Sequence, residues 1–158
     1  WKDVGTLSSY WEANMELIDI IPEFNLYEEF WKIYTNNSII PPQYISKEAV
    51  IDRSIIGDGD EIYGEIHNCV IGAGVVVGQG CGIRDSIIMQ DTVVREGASV
   101  YYSIVDGDTE IGAGAVVGEA MEKGGKITLV GSDLKIPHGG VIKAGEMVNA
   151  QYLEEHRI

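Results

Sequence analysis

Few side chains in this sequence offer reactive chemistry. There are three histidines, His67, His138 and His156. A histidine on a parallel β-helix can act as the general base of an acyl transfer when it lies between subunits. No nucleophile or oxyanion arrangement stands near any of them in sequence, so solvated corner histidines are the expectation. Cys69 and Cys81 are twelve residues apart. They fall at inward positions of a repeat and at two different corners of it, which argues for unpaired, inert packing thiols and a reducing compartment. No zinc-ligand spacing is present. The Gly-x-Gly triplets, such as Gly72-Ala73-Gly74, belong to the corners of that repeat, and no Walker-type phosphate loop appears. Asp3 stands apart, in Trp-Lys-Asp-Val-Gly-Thr, just before a helical stretch. Mg²⁺ is held by one or two carboxylates plus phosphate oxygens. Asp3 alone would need a second acidic residue from elsewhere.

The elements that carry these residues are set by aliphatic spacing. Three columns run through the chain. Ile39, Ile56, Ile71, Ile88 and Val105 form the first, and Ile45, Ile62, Val77, Val94 and Ile111 the second. The third holds Ile51, Ile66, Ile83, Val100 and Val117. Steps within a row are six, six and five residues, so most rows span 17 residues, but the row from Ile56 to Ile71 spans 15. Such a period indicates a solenoid. Six residues accommodate one short strand and a corner, which predicts a triangular coil: a mainly β, left-handed parallel β-helix of hexapeptide repeats, preceded by a short helical and linker segment. Glycines supply corners because they take positive φ without steric cost. The short row predicts a corner tightened by two residues between Ile62 and Ile66, at Gly64. A small or β-branched residue four places on, as at Val75, Cys81, Ile87, Thr92, Ala98, Ile104, Thr109 and Ala115, is expected to point inward. Charge and paired glycines make 119–126 an insertion. Val130, Ile136, Ile142 and Val148 then resume the six-residue step for one last coil.

Ahead of the repeat, residues 1–6 suggest a strand end and a turn. Ser9 and Glu12 suggest a capping box for the helix that follows, and Pro22 its end. Residues 23–36 suggest an aromatic connector with an extended end at 33–35, and Pro41-Pro42 the mouth of the solenoid. These boundaries divide the chain into 1–36, the end of a preceding domain, 37–150, the β-helix domain, and 151–158, a short helix or tail. A formal net charge of -14 with 11 Lys and Arg disfavours a nucleic-acid surface. No apolar run approaches the ~20 residues of a membrane span. Neither an initiator Met nor a signal-peptide layout opens the chain, so a cytoplasmic protein and an excised piece of a longer one are expected.

The motifs carry a family resemblance. Trp1-Lys-Asp-Val-Gly-Thr, Tyr10-Trp-Glu-Ala-Asn-Met-Glu-Leu-Ile, Phe24-Asn-Leu-Tyr and Trp31-Lys-Ile-Tyr-Thr, followed by the hexapeptide repeat, resemble the C-terminal third of bacterial glucose-1-phosphate adenylyltransferases (ADP-glucose pyrophosphorylases). The resemblance implies a nucleotidyltransferase that makes ADP-glucose and pyrophosphate from ATP and glucose 1-phosphate, with Mg²⁺, for glycogen synthesis. It implies a homo-oligomer, or a hetero-oligomer with a paralogous subunit, in which the β-helix serves subunit contact and allosteric control. The family's metal-binding aspartate falls on Asp3. The remaining active-site residues of the family lie upstream, so the resemblance implies no catalytic residue in this chain and no activity for it alone. Regulated relatives carry paired arginines near Tyr101 and Tyr102, and further arginine near Ser132. Arg95, Lys126 and Lys135 remain as basic candidates beside Tyr101 and Tyr102, and a weak response to sugar bisphosphates is expected. A non-catalytic regulatory partner subunit and a hexapeptide-repeat acyltransferase are the alternatives. The presence of Asp3 disfavours the first, and the absence of a placed catalytic His disfavours the second.

Overall fold

The structure is a computed structural model that describes residues 2–26, 29–30 and 39–156. Its body is a parallel β-solenoid with three sheets. The first stacks Tyr44–Ile45, Glu61–Ile62, Val76–Val77, Val93–Val94, Glu110–Ile111 and Lys135–Ile136. The second stacks Val50–Asp52, Glu65–His67, Gly82–Arg84, Ser99–Tyr101, Val116–Gly118 and Val141–Ile142. The third stacks Val70–Ile71, Ile87–Ile88, Ser103–Val105, Thr128–Val130 and Met147–Val148.

Registers follow the aliphatic columns. Ile45, Ile62, Val77, Val94, Ile111 and Ile136 are successive partners, as are Ile51, Ile66, Ile83, Val100, Val117 and Ile142. From Ile62 on these side chains are at most 1% exposed and form one continuous core. Each contributes about 1.5–3 kcal/mol by burial. Ile62 pairs with Val77 and Ile66 with Ile83, so the side between them is two residues shorter than its neighbour. Gly64 makes that corner possible: a Cβ there would meet the carbonyl oxygens of Gly78 and Cys81, each at 2.8 Å. The insertion leaves after Gly118 and holds one 3-10 turn, Met121–Lys123. The chain then rejoins the third sheet at Thr128–Val130.

Several expectations are corrected. Ile39 does not join the first column; it is fully exposed and lies in no strand. The Pro41-Pro42 pair explains this, since proline offers no N–H to a ladder. Ile87 and Ile104 are buried, but on the outer face of the third sheet and not in the inner core. They pack with Met15 and Ile127 in a separate cluster. The five-residue side shifts the inward position by one, and Cys69, Ser86, Ser103 and Thr128 fill it instead. Their polar atoms close the corner. Ser86 Oγ donates to Arg84 O at 2.7 Å and accepts from Ser103 N at 3.1 Å.

The helix, α1, spans Leu7–Glu16. Its cap is Thr6, not Ser9: Thr6 Oγ1 accepts from Ser9 N at 3.1 Å, and Ser9 Oγ accepts from Thr6 N at 3.0 Å. That reciprocal box needs only a hydroxyl at its fourth position. The helix ends before Pro22, through bonds from Leu17 N to Asn14 O and from Ile18 N to Met15 O. Residues 2–5 form no strand; a turn at Asp3 replaces it. The extended end expected at 33–35 lies outside the described residues. A second helix, α2, spans Ala150–His156, and its Tyr152 and Leu153 pack on the last coil.

Candidate functional site

The solenoid presents three outer faces, and its coils place side chains on them at one rung, about 4.8 Å, per coil. α1 covers the face of the third sheet through Leu7, Tyr10, Trp11, Met15 and Ile18. Among the described residues no helix covers the first sheet's face. Alternation turns Glu61, Val76, Val93, Glu110 and Lys135 outward there, next to buried core residues. A groove of about 810 Å³ runs along it, with Val76 and Val93 in its lining, Tyr63 towards one end and Pro137 and His138 towards the other. The Glu110 carboxylate joins two expected basic residues. Arg95 Nε donates to its Oε1 at 2.8 Å, and Lys135 Nζ lies 3.8 Å from Oε2. The Arg95 hydrogen bond, followed by the charges of Arg95 and Lys135, holds Glu110 below the ordinary carboxylate range. Arg95 and Lys135 therefore meet, but on a shared internal anion.

The other expected residues are dispersed. Tyr101 faces a cleft of about 820 Å³ on the second sheet, under the insertion, with Arg84, Lys123 and Lys143. Its neighbour Tyr102 occupies a left-handed corner with φ 43° and meets the Trp11 ring edge-on at 5.1 Å. Lys126 lies against Gly145, where a Cβ would come within 3.0 Å of its own Cβ. Asp3 is exposed. Its Oδ1 accepts from Gly5 N at 2.9 Å, and Oδ2 makes no hydrogen bond among the described residues. One carboxylate with a free oxygen fits a Mg²⁺ held by one or two carboxylates and phosphate. Among the described residues no group of three His, Cys, Asp or Glu is placed to hold a metal alone. His67 lies between Asp52 and Glu65, at 3.8 and 3.9 Å. His156 stacks on Tyr152 at 4.0 Å. Both thiols are free and buried, and burial pushes Cys69 up to about 12. Among the described residues no nucleophile stands paired with a base.

Residues 64–157, more than half of the chain, match the family model described as GMPPB C-terminal domain. The chain belongs to the GMPPB C-terminal domain family. The match takes in the solenoid from the tightened corner at Gly64 to α2. Relatives named glucose-1-phosphate adenylyltransferase are also similar. That of Lachnospira eligens is 77% identical over 77 residues, which is 49% of this chain and 18% of the relative. That of Thermosipho melanesiensis is 54% identical over 84 residues, 53% of this chain and 20% of the relative. In Acetivibrio thermocellus the identity is 48% over 92 residues, 58% of this chain and 22% of the relative. The chain spans about a fifth of the length of these relatives.

Just ahead of the matched residues, the solenoid buries one carboxylate that no motif marks. Asp60 is fully buried. Its Oδ1 accepts from Val75 N at 2.8 Å and its Oδ2 from Gly57 N at 2.9 Å. Burial raises its pKa to about 6 against those hydrogen bonds, which act downward. Asp60 stands four places after Ile56, the inward slot that Val75, Thr92 and Thr109 fill in later coils. That offset was the available signal.

Proposed function

We propose that this chain is the solenoid portion of a glucose-1-phosphate adenylyltransferase that forms ADP-glucose and pyrophosphate from ATP and glucose 1-phosphate for glycogen synthesis. The observation that carries this reading is the 77% identity to the Lachnospira eligens enzyme across half of the chain. In the longer protein the solenoid serves subunit contact and allosteric control, and catalysis rests on residues outside this chain. Asp3 is the exception, as one ligand of Mg²⁺. When bound, that ion supplies charge neutralisation for attack of the sugar phosphate on the α-phosphorus of ATP. Asp3 Oδ1 is steadied by the Gly5 amide, which leaves Oδ2 for the ion. The dispersal of Tyr101, Tyr102 and Lys126, and the pairing of Arg95 and Lys135 with Glu110, support a weak grip on a bisphosphate effector.

The test is an assay of ADP-glucose formation by the longer protein and by this chain alone. Turnover is expected from the longer protein and none from the chain. In the longer protein Asp3→Asn is expected to lower kcat by roughly 100-fold or more, the scale on which preorganised charge stabilisation acts. Turnover by the isolated chain would refute the division of labour, and an inactive longer protein would refute the assignment.

A further inference from the structure

α1 is seated on an unusual line of backbone. Arg53, Asn68, Asp85 and Tyr102 occupy successive corners between the second and third sheets, all with positive φ, 44, 53, 51 and 43°. Asn and Asp tolerate this region, whereas Arg and Tyr enter it only against a steric penalty. The two costly residues are those that reach the α1 segment, one midway along the helix and one just past its C-terminal end. Arg53 Nη2 lies 2.6 Å from Asp19 Oδ1, just beyond α1, and Tyr102 meets Trp11. Side chains link part of the corner line: Arg53 Nε donates to Asn68 Oδ1 at 3.1 Å, and Asn68 Nδ2 to Asp85 Oδ1 at 2.7 Å. Trp11 Nε1 closes the line by donating to Asp85 O at 2.7 Å. The dimensions agree. Trp11 to Asp19 spans roughly 12 Å at helical rise, and Arg53 to Asp85 or Tyr102 spans two or three rungs, roughly 10–14 Å. The segment from Trp11 to Asp19 therefore runs along the corner line, held at those two residues, with Met15 buried between them. Asp3 lies eight residues before Trp11, ahead of the Thr6 cap.

We propose that this corner line clamps α1 so that the solenoid sets the position of the Asp3 segment, which makes Trp11, Arg53 and Tyr102 positioning residues for the adenylyl transfer. The inference rests on the proposed function, because only there does Asp3 hold an ion. It gives the solenoid a mechanical share in catalysis, and it assigns Tyr102 to helix docking and not to the cleft that Tyr101 faces.

The experiment uses the longer protein with Trp11→Phe, Tyr102→Ala and Tyr102→Phe. Three quantities are read: amide exchange along α1, exchange at Val94 and Ile111 as the solenoid reference, and calorimetric binding of Mn²⁺ in the presence of ATP. Trp11→Phe and Tyr102→Ala are expected to speed α1 exchange about five-fold, the change that one net hydrogen bond, or one edge-on ring pair, of about 1 kcal/mol supports. Exchange at the solenoid reference stays fixed. Both variants are expected to weaken Mn²⁺ binding several-fold, and Tyr102→Phe, which keeps the ring, to restore both readings. Unchanged α1 exchange would overturn the clamp. Faster α1 exchange with unaltered Mn²⁺ binding would overturn positioning. A wild-type protein that makes no ADP-glucose refutes the functional reading itself, and that result is seen before any substitution is made.

Discussion

Asp60 makes the stability of the solenoid depend on pH in a direction opposite to that of most carboxylates. Its folded-state pKa is about 6, raised mainly by burial from 3.8. A group raised on folding contributes stability that is complete below its unfolded pKa and is lost as pH rises through its folded pKa. From 3.8 to about 6, at about 1.4 kcal/mol per tenfold change in proton affinity, the loss is about 3 kcal/mol between pH 3.8 and pH 7. A hollow of about 350 Å³ beside Pro41, Pro42 and Gly59 also touches Asp60. Screening by the polar surroundings lowers the cost of the buried charge, so this figure is an upper bound. The chain has 25 Asp and Glu residues, and a single pH curve would blend their contributions. The difference between the wild type and Asp60→Asn isolates the one group. Asn keeps an acceptor for Val75 N but loses the one that Gly57 N uses, at a pH-independent cost of about 1–3 kcal/mol. We predict that Asp60→Asn is the less stable protein at pH 4 and that the gap narrows by about 2–3 kcal/mol at pH 7. Urea unfolding followed by circular dichroism measures it, with equal m values required of the two proteins. A gap that stays constant within 0.5 kcal/mol across this range would refute the reasoning.

Two further predictions test the corners and the core. Gly118 has φ 74°, and a Cβ there would come within 2.2 Å of Tyr101 O and 2.6 Å of Ser103 Oγ. Gly97 has φ 70° with nothing within 4 Å. Gly97→Ala is expected to cost only the left-handed backbone penalty, about 1–2 kcal/mol, and Gly118→Ala at least twice as much, because backbone must move. Equal losses in urea unfolding would contradict the close approach. Cys69 is buried, with its thiol pushed up to about 12. It is expected to resist iodoacetamide at pH 8 until denaturant is added, and rapid alkylation of the native protein, mapped by mass spectrometry, would contradict that.

Much of the fold could be read from the chain because a solenoid writes its core at a fixed interval. The columns through Ile62, Ile66 and Ile71, the two residues missing at Gly64 and the insertion at 119–126 all follow from counting. Counting failed where a local rule overrode the interval. Ile39 has the right spacing, but the prolines that follow deny it a ladder. Ile87 and Ile104 have the right character, but a five-residue side reverses which alternate residue points inward. The helix cap lies three residues ahead of the Ser-x-x-Glu signal because Thr6 with Ser9 satisfies the same two amides as a hydroxyl and a carboxylate would.

The surface was less legible for a reason that lies in the same geometry. An inward residue is constrained by every coil above and below it, so its type repeats. An outward residue is constrained only by what lies over its face, and the three faces differ. Tyr101 and Tyr102 show the consequence. They are adjacent and chemically identical, and the sequence offers them as one pair of regulatory positions. A corner separates them: Tyr101 faces the cleft under the insertion, and Tyr102, with φ 43°, meets α1. Arg95 and Lys135 show the converse. They are 40 residues apart in sequence, yet both meet Glu110 because Val94, Ile111 and Ile136 occupy adjoining rungs. Function on such a scaffold therefore lies along columns of outward residues, one rung apart, and not in contiguous motifs. The corner line of Arg53, Asn68, Asp85 and Tyr102 is the case in point. No contiguous stretch of sequence contains it, and only once the coils are in register do four unlike residues become one surface for a helix.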